Sequence, residues 1–366
     1  MPSRFLTNPS VPRSSDRSPS SSSDFPRGDA MAAGSSSSSS SLSPSRYAEV
    51  WNYMWIPLLI SFSKELALAK AQSGILLPGQ LENEAASAGA AVVPSCPAPD
   101  PKLNFRPVIG ILSHPGDGAS GRLNNASDAS YIAASYVKFV ESAGARVIPL
   151  IYNEPPEVLF EKLNMVNGVL FTGGWAKSGS YYETAKAIFK DKNILEEFNA
   201  ADQASTLQFI RNTNIEGTVF QRFPPDLLKK LSTDCLVMQN HHYGISPERL
   251  MQNTDLTNFF KILTTSTDGD NKVYVSTVQA HSYPVTAFQW HPEKNAFEWG
   301  LSMIPHSDDA IQVTQHVANF FVSEARKSVN RASARKVLDN LIYNYSPTYC
   351  GKAGKGYDEV YIFSRL

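Results

Sequence analysis

The sequence predicts an α/β fold built on a doubly wound, mostly parallel sheet. Three observations carry that expectation. RPVIGILSH (106–114) is a continuous apolar run bounded by Pro and Gly, the pattern of a parallel strand buried on both faces. Strand-like and helix-like segments then alternate as far as Gly174, as parallel crossovers require. Glycine-rich stretches follow the first and third strand-like runs, where loops at the carboxyl ends of parallel strands form a ligand crevice.

After the first strand, SYIAASYVKFVESAGA (130–145) shows helical spacing and closes on Gly144. RVIPLI (146–151) reads as the second strand and EVLFEKLNMV (157–166) as the second helix. GVLFTGG (168–174) is a third strand running into Gly173-Gly174. This order places SHPGDGASGR (113–122) and TGGWAKSG (172–179) on the functional rim. From about Thr206 the chain is richer in strands, with FFKILTTS (259–266), KVYVSTVQ (272–279) and PVTAFQW (284–290) favouring extended structure. A helix over Val313–Ser328 follows, and the aromatic-rich YDEVYIF (357–363) lies near the end.

The folded domain is expected over 105–330, with 331–366 as a C-terminal tail. Residues 1–46, dominated by Ser, Pro and Arg, cannot bury enough apolar area to offset their ordering entropy. They read as a disordered extension or a transit peptide. In 47–72 the apolar core Trp55–Phe62 is too short to span a bilayer, so no membrane span is expected. It matches the hydrophobic region of a secretory signal if translation starts near Met54; an amphipathic helix is the other reading. Residues 73–104, rich in Gly, Ala and Pro, read as a linker.

The 366 residues carry a formal net charge of −1, so no overall field draws the chain to nucleic acid or a membrane. The three cysteines, Cys96, Cys235 and Cys350, show no CxxC spacing, which argues against structural zinc.

Chemistry concentrates in FQWHPEKNAF (288–297). An imidazole at His291, with Glu293 placed to orient it, suits general acid–base work. A lone His beside Pro also fits a structural position, but the Trp before it and the charges after it favour function. Gly173-Gly174 lets backbone N–H groups approach a ligand carboxylate or an oxyanion; a tight turn is the plain alternative. His241-His242 offers a polar pocket group or a surface pair, without ligand spacing for a metal.

Together RPVIGIL, GVLFTGGW, FQRFPPDLLKKL, NHHYG and above all YPVTAFQWHPEKNAFEW resemble plant folate γ-glutamyl hydrolases, from about Phe105 to Phe363. That family is a cysteine-dependent branch of the class I glutamine amidotransferase-like (flavodoxin-like) fold. The resemblance implies cleavage of γ-linked glutamates from folylpoly-γ-glutamates, with no cofactor and with a homodimer compatible. It implies secretion to the vacuole or cell wall, or a plastid address if the extension is a transit peptide. It makes His291 the catalytic histidine with Glu293 its partner, His241 a substrate-pocket histidine, and Gly173 and Gly174 the oxyanion and substrate loop.

The family nucleophile sits in a strand–elbow–helix unit of Gly-x-Cys-x-Gly type, where the helix amino terminus lowers the thiol pKa. Here the corresponding stretch reads YYETAKAIFKDKNILEEFNAADQ (181–203), two helix-like runs with no apolar strand or Gly-x-Cys between them. Cys96 stands in SCPAP, Cys235 in TDCLVMQ and Cys350 in TYCGK, none of them an elbow. No Gly-x-Ser-x-Gly supplies a serine instead. The expectation is a chain lacking a unit on the order of thirty residues near Lys190–Asp191, and therefore inactive. Because both flanks keep the resemblance, an omitted exon or a gene-prediction error explains this better than gradual divergence. A non-catalytic isoform that binds folate polyglutamates or an intact subunit is the alternative.

Overall fold

The computed structural model describes residues 96, 98–118, 129–174, 181, 195–351 and 357–364. The N-terminal extension, the signal-like segment, most of the linker and the Lys190–Asp191 junction lie outside the described residues. In chain order the elements begin with β1 (Val108–Leu112), β2 (His114–Pro115), β3 (Ala129–Ala133), α1 (Ala134–Ser142), β4 (Arg146–Leu150), α2 (Pro156–Leu163) and β5 (Gly168–Phe171). There follow β6 (Glu196–Ser205), β7 (Gln208–Phe209), α3 (Pro225–Thr233), β8 (Val237–Gly244), α4 (Pro247–Gln252), α5 (Thr254–Phe259), β9 (Phe260–Thr267), β10 (Val273–Ala280) and β11 (Thr286–Phe288). The last are α6 (Lys294–Phe297), α7 (Asp308–Arg326), α8 (Ala334–Asn340), β12 (Thr348–Tyr349) and β13 (Glu359–Ser364).

β1 is the centre of a three-stranded parallel sheet in the order β4-β1-β5. Side chains alternate across a strand, and the two faces of β1 enter different cores. Ile109 and Ile111 join Val147, Val137 and Val140 of α1, and Val317 of α7. Val108 and Leu112 join Ile148, Leu150 and Val337 of α8. Helices thus cover both faces, which is the doubly wound arrangement. Gly110 is the price of close packing within the sheet: a Cβ there would lie 2.7 Å from Leu150 Cδ1.

Outside this sheet the pairing is antiparallel, in the orders β11-β10-β9-β7, β12-β13-β3-β2 and β6-β8. Two segments depart from their sequence expectation. The helical reading of 130–145 holds only from Ala134, because Ala129–Ala133 forms a ladder with β13. The helix-like run around Glu196 is strand β6, held by β8 with register shifts near Ala200 and a positive φ of 45° at Asp202. In both cases a distant strand overrides local propensity.

Helix α7 starts at Asp308, earlier than its apolar spacing indicates, since Ser307 Oγ accepts the Ala310 N–H and two aspartates occupy the first turn. The segment after residue 331 contributes α8 and β13, with Val360 and Phe363 buried. Among the described residues, no helix is long and apolar enough to cross a membrane.

Candidate active site

The turn carrying His291 is fixed by three neighbours. The His291 N–H donates to Met238 O of β8 at 2.8 Å, and the Trp290 indole donates to Thr277 Oγ1 of β10 at 3.0 Å. Pro292 O accepts from Thr314 Oγ1 of α7 at 2.7 Å. The buried Asn295 amide then ties α6 to Leu236 O and Ala310 O, at 2.9 and 3.1 Å. The apolar aromatic and the polar tether residues of the motif therefore make one rigid corner.

On that corner His291 Nδ1–H donates to Glu293 Oε1 at 2.9 Å. Glu293 is 1% exposed. Burial works to raise its carboxyl, but the adjacent His291 and then Lys294 overcome this and hold it below the ordinary range. The bond also selects the tautomer, leaving Nε2 to exchange a proton.

His241 stands on β8 with its ring edge-on to Tyr274, centroids 4.7 Å apart. Both its ring nitrogens are buried without a hydrogen-bond partner among the described residues. Burial, reinforced by His291, pulls its imidazole down to about 4. His242, the next residue on the strand, is exposed. The pair thus divides between pocket and surface. Among the described residues, no group of three or more His, Cys, Asp or Glu could hold a metal ion.

Gly173 and Gly174 follow β5 with φ of 69° and 130°. A Cβ on Gly173 would meet nothing within 4 Å, whereas one on Gly174 would lie 2.4 Å from His114 Nε2. The loop is joined to the acid–base pair by Tyr136 of α1, whose hydroxyl donates to Thr172 O at 2.8 Å. Burial and then the nearby Glu293 push that hydroxyl well above its ordinary value. His291, Glu293 and His241 are therefore brought together, and Tyr136 connects the glycine loop to them.

Tyr136 is a site neighbour that sequence reasoning missed, and His114 is one that it placed on the rim without a role. His114 stands at the carboxyl end of β1, a position that was itself the available signal. Its ring is buried between Tyr131 and Tyr181, which lowers its pKa despite the bond to Pro115 O. Tyr136 lies in an ordinary amphipathic helix and gave no local sign. Of the cysteines, Cys96 and Cys235 are exposed, while Cys350 packs with Tyr131 and Val360 and its thiol donates to Thr348 O at 3.4 Å.

Residues 107–217 match the Peptidase C26 family. Gamma-glutamyl hydrolase 2 of Arabidopsis thaliana is 60% identical over 348 residues, covering 86% of this chain and 99% of the relative. Gamma-glutamyl hydrolase of Glycine max is 54% identical over 333 residues, covering 82% and 95%. Gamma-glutamyl hydrolase of Bos taurus is 37% identical over 304 residues, covering 73% and 92%.

Proposed function

Since the chain belongs to the gamma-glutamyl hydrolase family, we propose that its site is built to cleave γ-linked glutamates from folylpoly-γ-glutamates, and that this particular chain is catalytically silent. The observation that carries the first half is the His291–Glu293 hydrogen bond of 2.9 Å. In the family reaction a cysteine thiolate attacks the γ-amide carbonyl carbon, and the developing oxyanion is met by backbone N–H groups such as those of Gly173 and Gly174. His291 takes the thiol proton and gives it to the departing amine, leaving a glutamyl thioester. It then deprotonates water for hydrolysis. Glu293 orients the ring and stabilises its cation throughout, as the third member of a triad does.

Two facts support silence. The three cysteines stand in SCPAP, TDCLVMQ and TYCGK, none with an elbow glycine on each side. The 348 aligned positions of the Arabidopsis relative engage 86% of 366 residues, about 315, so about 33 positions face no residue here. The Glycine max alignment repeats this: 333 positions engage 82% of 366, about 300, again leaving about 33. That is the size of a strand–elbow–helix unit.

Purified chain incubated with pentaglutamyl folate is expected to release no glutamate. Turnover near that of intact relatives would sink the proposal. The second reading, a binding isoform, draws on the site residues that remain in place, His291, Glu293 and His241. Calorimetry showing saturable heat without turnover supports it. A secretory route to the vacuole or extracellular space follows from the signal-like segment 47–72, and a fluorescent fusion of residues 1–104 found in plastids overturns it.

A further inference from the structure

Behind the His291–Glu293 pair lies a row of buried charge that the reaction above does not use. Lys294 is 2% exposed, and Glu298, one helical turn on, is 1% exposed. Such side chains are almost never fully buried unless paired. The Lys294 ammonium lies over the Tyr357 ring, 4.9 Å from its centroid. Glu298 caps the carboxyl end of α6 in an extended conformation, and its N–H donates to Lys294 O at 3.0 Å. Glu298 Oε2 accepts the Asp358 N–H at 2.8 Å, while Oε1 is buried with no hydrogen-bond partner among the described residues.

We propose that Lys294 and Glu298 are positioning residues for the acid–base pair. The ammonium, sharing its surroundings with two buried carboxyls, holds Glu293 as the carboxylate that orients His291. Glu298 sets how much of the ammonium's field Glu293 receives. The charged and titratable groups facing Glu298 are Lys294 from its own segment, and Tyr357 and Asp358 from the approach to β13.

Electrostatics agree with that placement. Burial raises the Glu298 carboxyl to about 7 against the lowering effect of Lys294. It therefore changes charge near neutral pH. When neutral, it leaves the ammonium's field to Glu293; when ionised, it draws on that field, so that less of it reaches Glu293 and the imidazole cation is favoured.

The functional meaning rests on His291 being the proton carrier proposed above, but the electrostatics do not, so the test reads the imidazole and not turnover. Long-range proton–nitrogen NMR of the full chain follows the His291 ring across pH, assigned by its loss in His291→Asn. In the unmodified chain the titration is expected to depart from a single-site curve near neutral pH, as Glu298 charges. In Glu298→Gln the departure disappears and the midpoint falls by about half a pH unit. Lys294→Met, by removing a cation beside Glu298, moves the departure to higher pH. A single-site curve in the unmodified chain, or an unmoved midpoint in folded Glu298→Gln, overturns the inference.

Discussion

Among the described residues of the rim, Gly174 is tightly constrained, and with Gly173 it separates two costs of adding a methyl group. Its φ is 130°, and a Cβ would drive into the buried His114 ring at 2.4 Å. Gly174→Ala is therefore expected to lose about 3 kcal/mol in denaturant unfolding, from backbone strain and overpacking together. Gly173→Ala, with φ 69° and open space, should lose only about 1 kcal/mol. Similar losses at both positions would show that His114 does not press on the loop. His241 gives a pH-dependent counterpart. Its folded-state pKa is about 4, below the ordinary value of 6.5, so the unfolded chain binds the proton first. Stability from this group is complete above about pH 6.5 and falls as pH drops toward 4, by up to about 3 kcal/mol. His241→Gln should flatten that acid slope, and equal slopes in both proteins would contradict a neutral buried ring. At this scale the sequence showed residues whose partners are local. His291 and Glu293 stand two apart in one motif, and their hydrogen bond needs no distant information. Tyr136 could not be found that way, because its role depends on Thr172 and Glu293 arriving from other elements.

The same division holds for whole elements. β1 and β4 were legible because burial on both faces writes continuous apolar runs into the sequence, and β5, though only half-buried, keeps the apolar run GVLF. β3 and β6 were not, since each is extended only by pairing with a strand far along the chain. Within β3 the run ASYIA has mixed propensity, and the helix that follows it lends it helical spacing. The ladder between β3 and β13 makes a direct test of how much the C-terminal strand contributes. Phe363 is 5% exposed and packs edge-on against Tyr345, with ring centroids 4.9 Å apart. Phe363→Ala should cost about 3–4 kcal/mol by denaturant unfolding. Phe160→Ala, at 64% exposure on α2, should stay within about 0.5 kcal/mol and serves as the control. Equal small effects would mean that β13 is held only by its backbone ladder.

At the scale of the molecule, the telling feature is the edge of the parallel sheet. β5 pairs with β1, and among the described residues nothing pairs with its other side. Its side chains are half-buried where those of β1 are fully buried, and Phe171 is exposed. Parallel strands are normally covered, and an open edge leaves backbone groups unpaired. Loss of a neighbouring strand would produce this edge, and the proposed elbow unit is one strand plus a crossover. The proposed loss of that unit would account at once for the edge of β5 that is unpaired among the described residues and for the thiol that the unit would carry. Grafting the corresponding segment of about thirty residues from the Arabidopsis relative between Lys190 and Asp191 tests both at once. If the cause is shared, the chimera gains several kcal/mol, raising its melting temperature by about 10 °C. It also releases glutamate from pentaglutamyl folate, and cysteine-to-alanine replacement inside the graft removes the turnover while keeping the stability. A chimera that is stabilised but inactive would leave the sheet explanation standing and overturn the reading of His291–Glu293 as the acid–base pair. One that turns over with unchanged stability would place the strand's partner elsewhere in this chain.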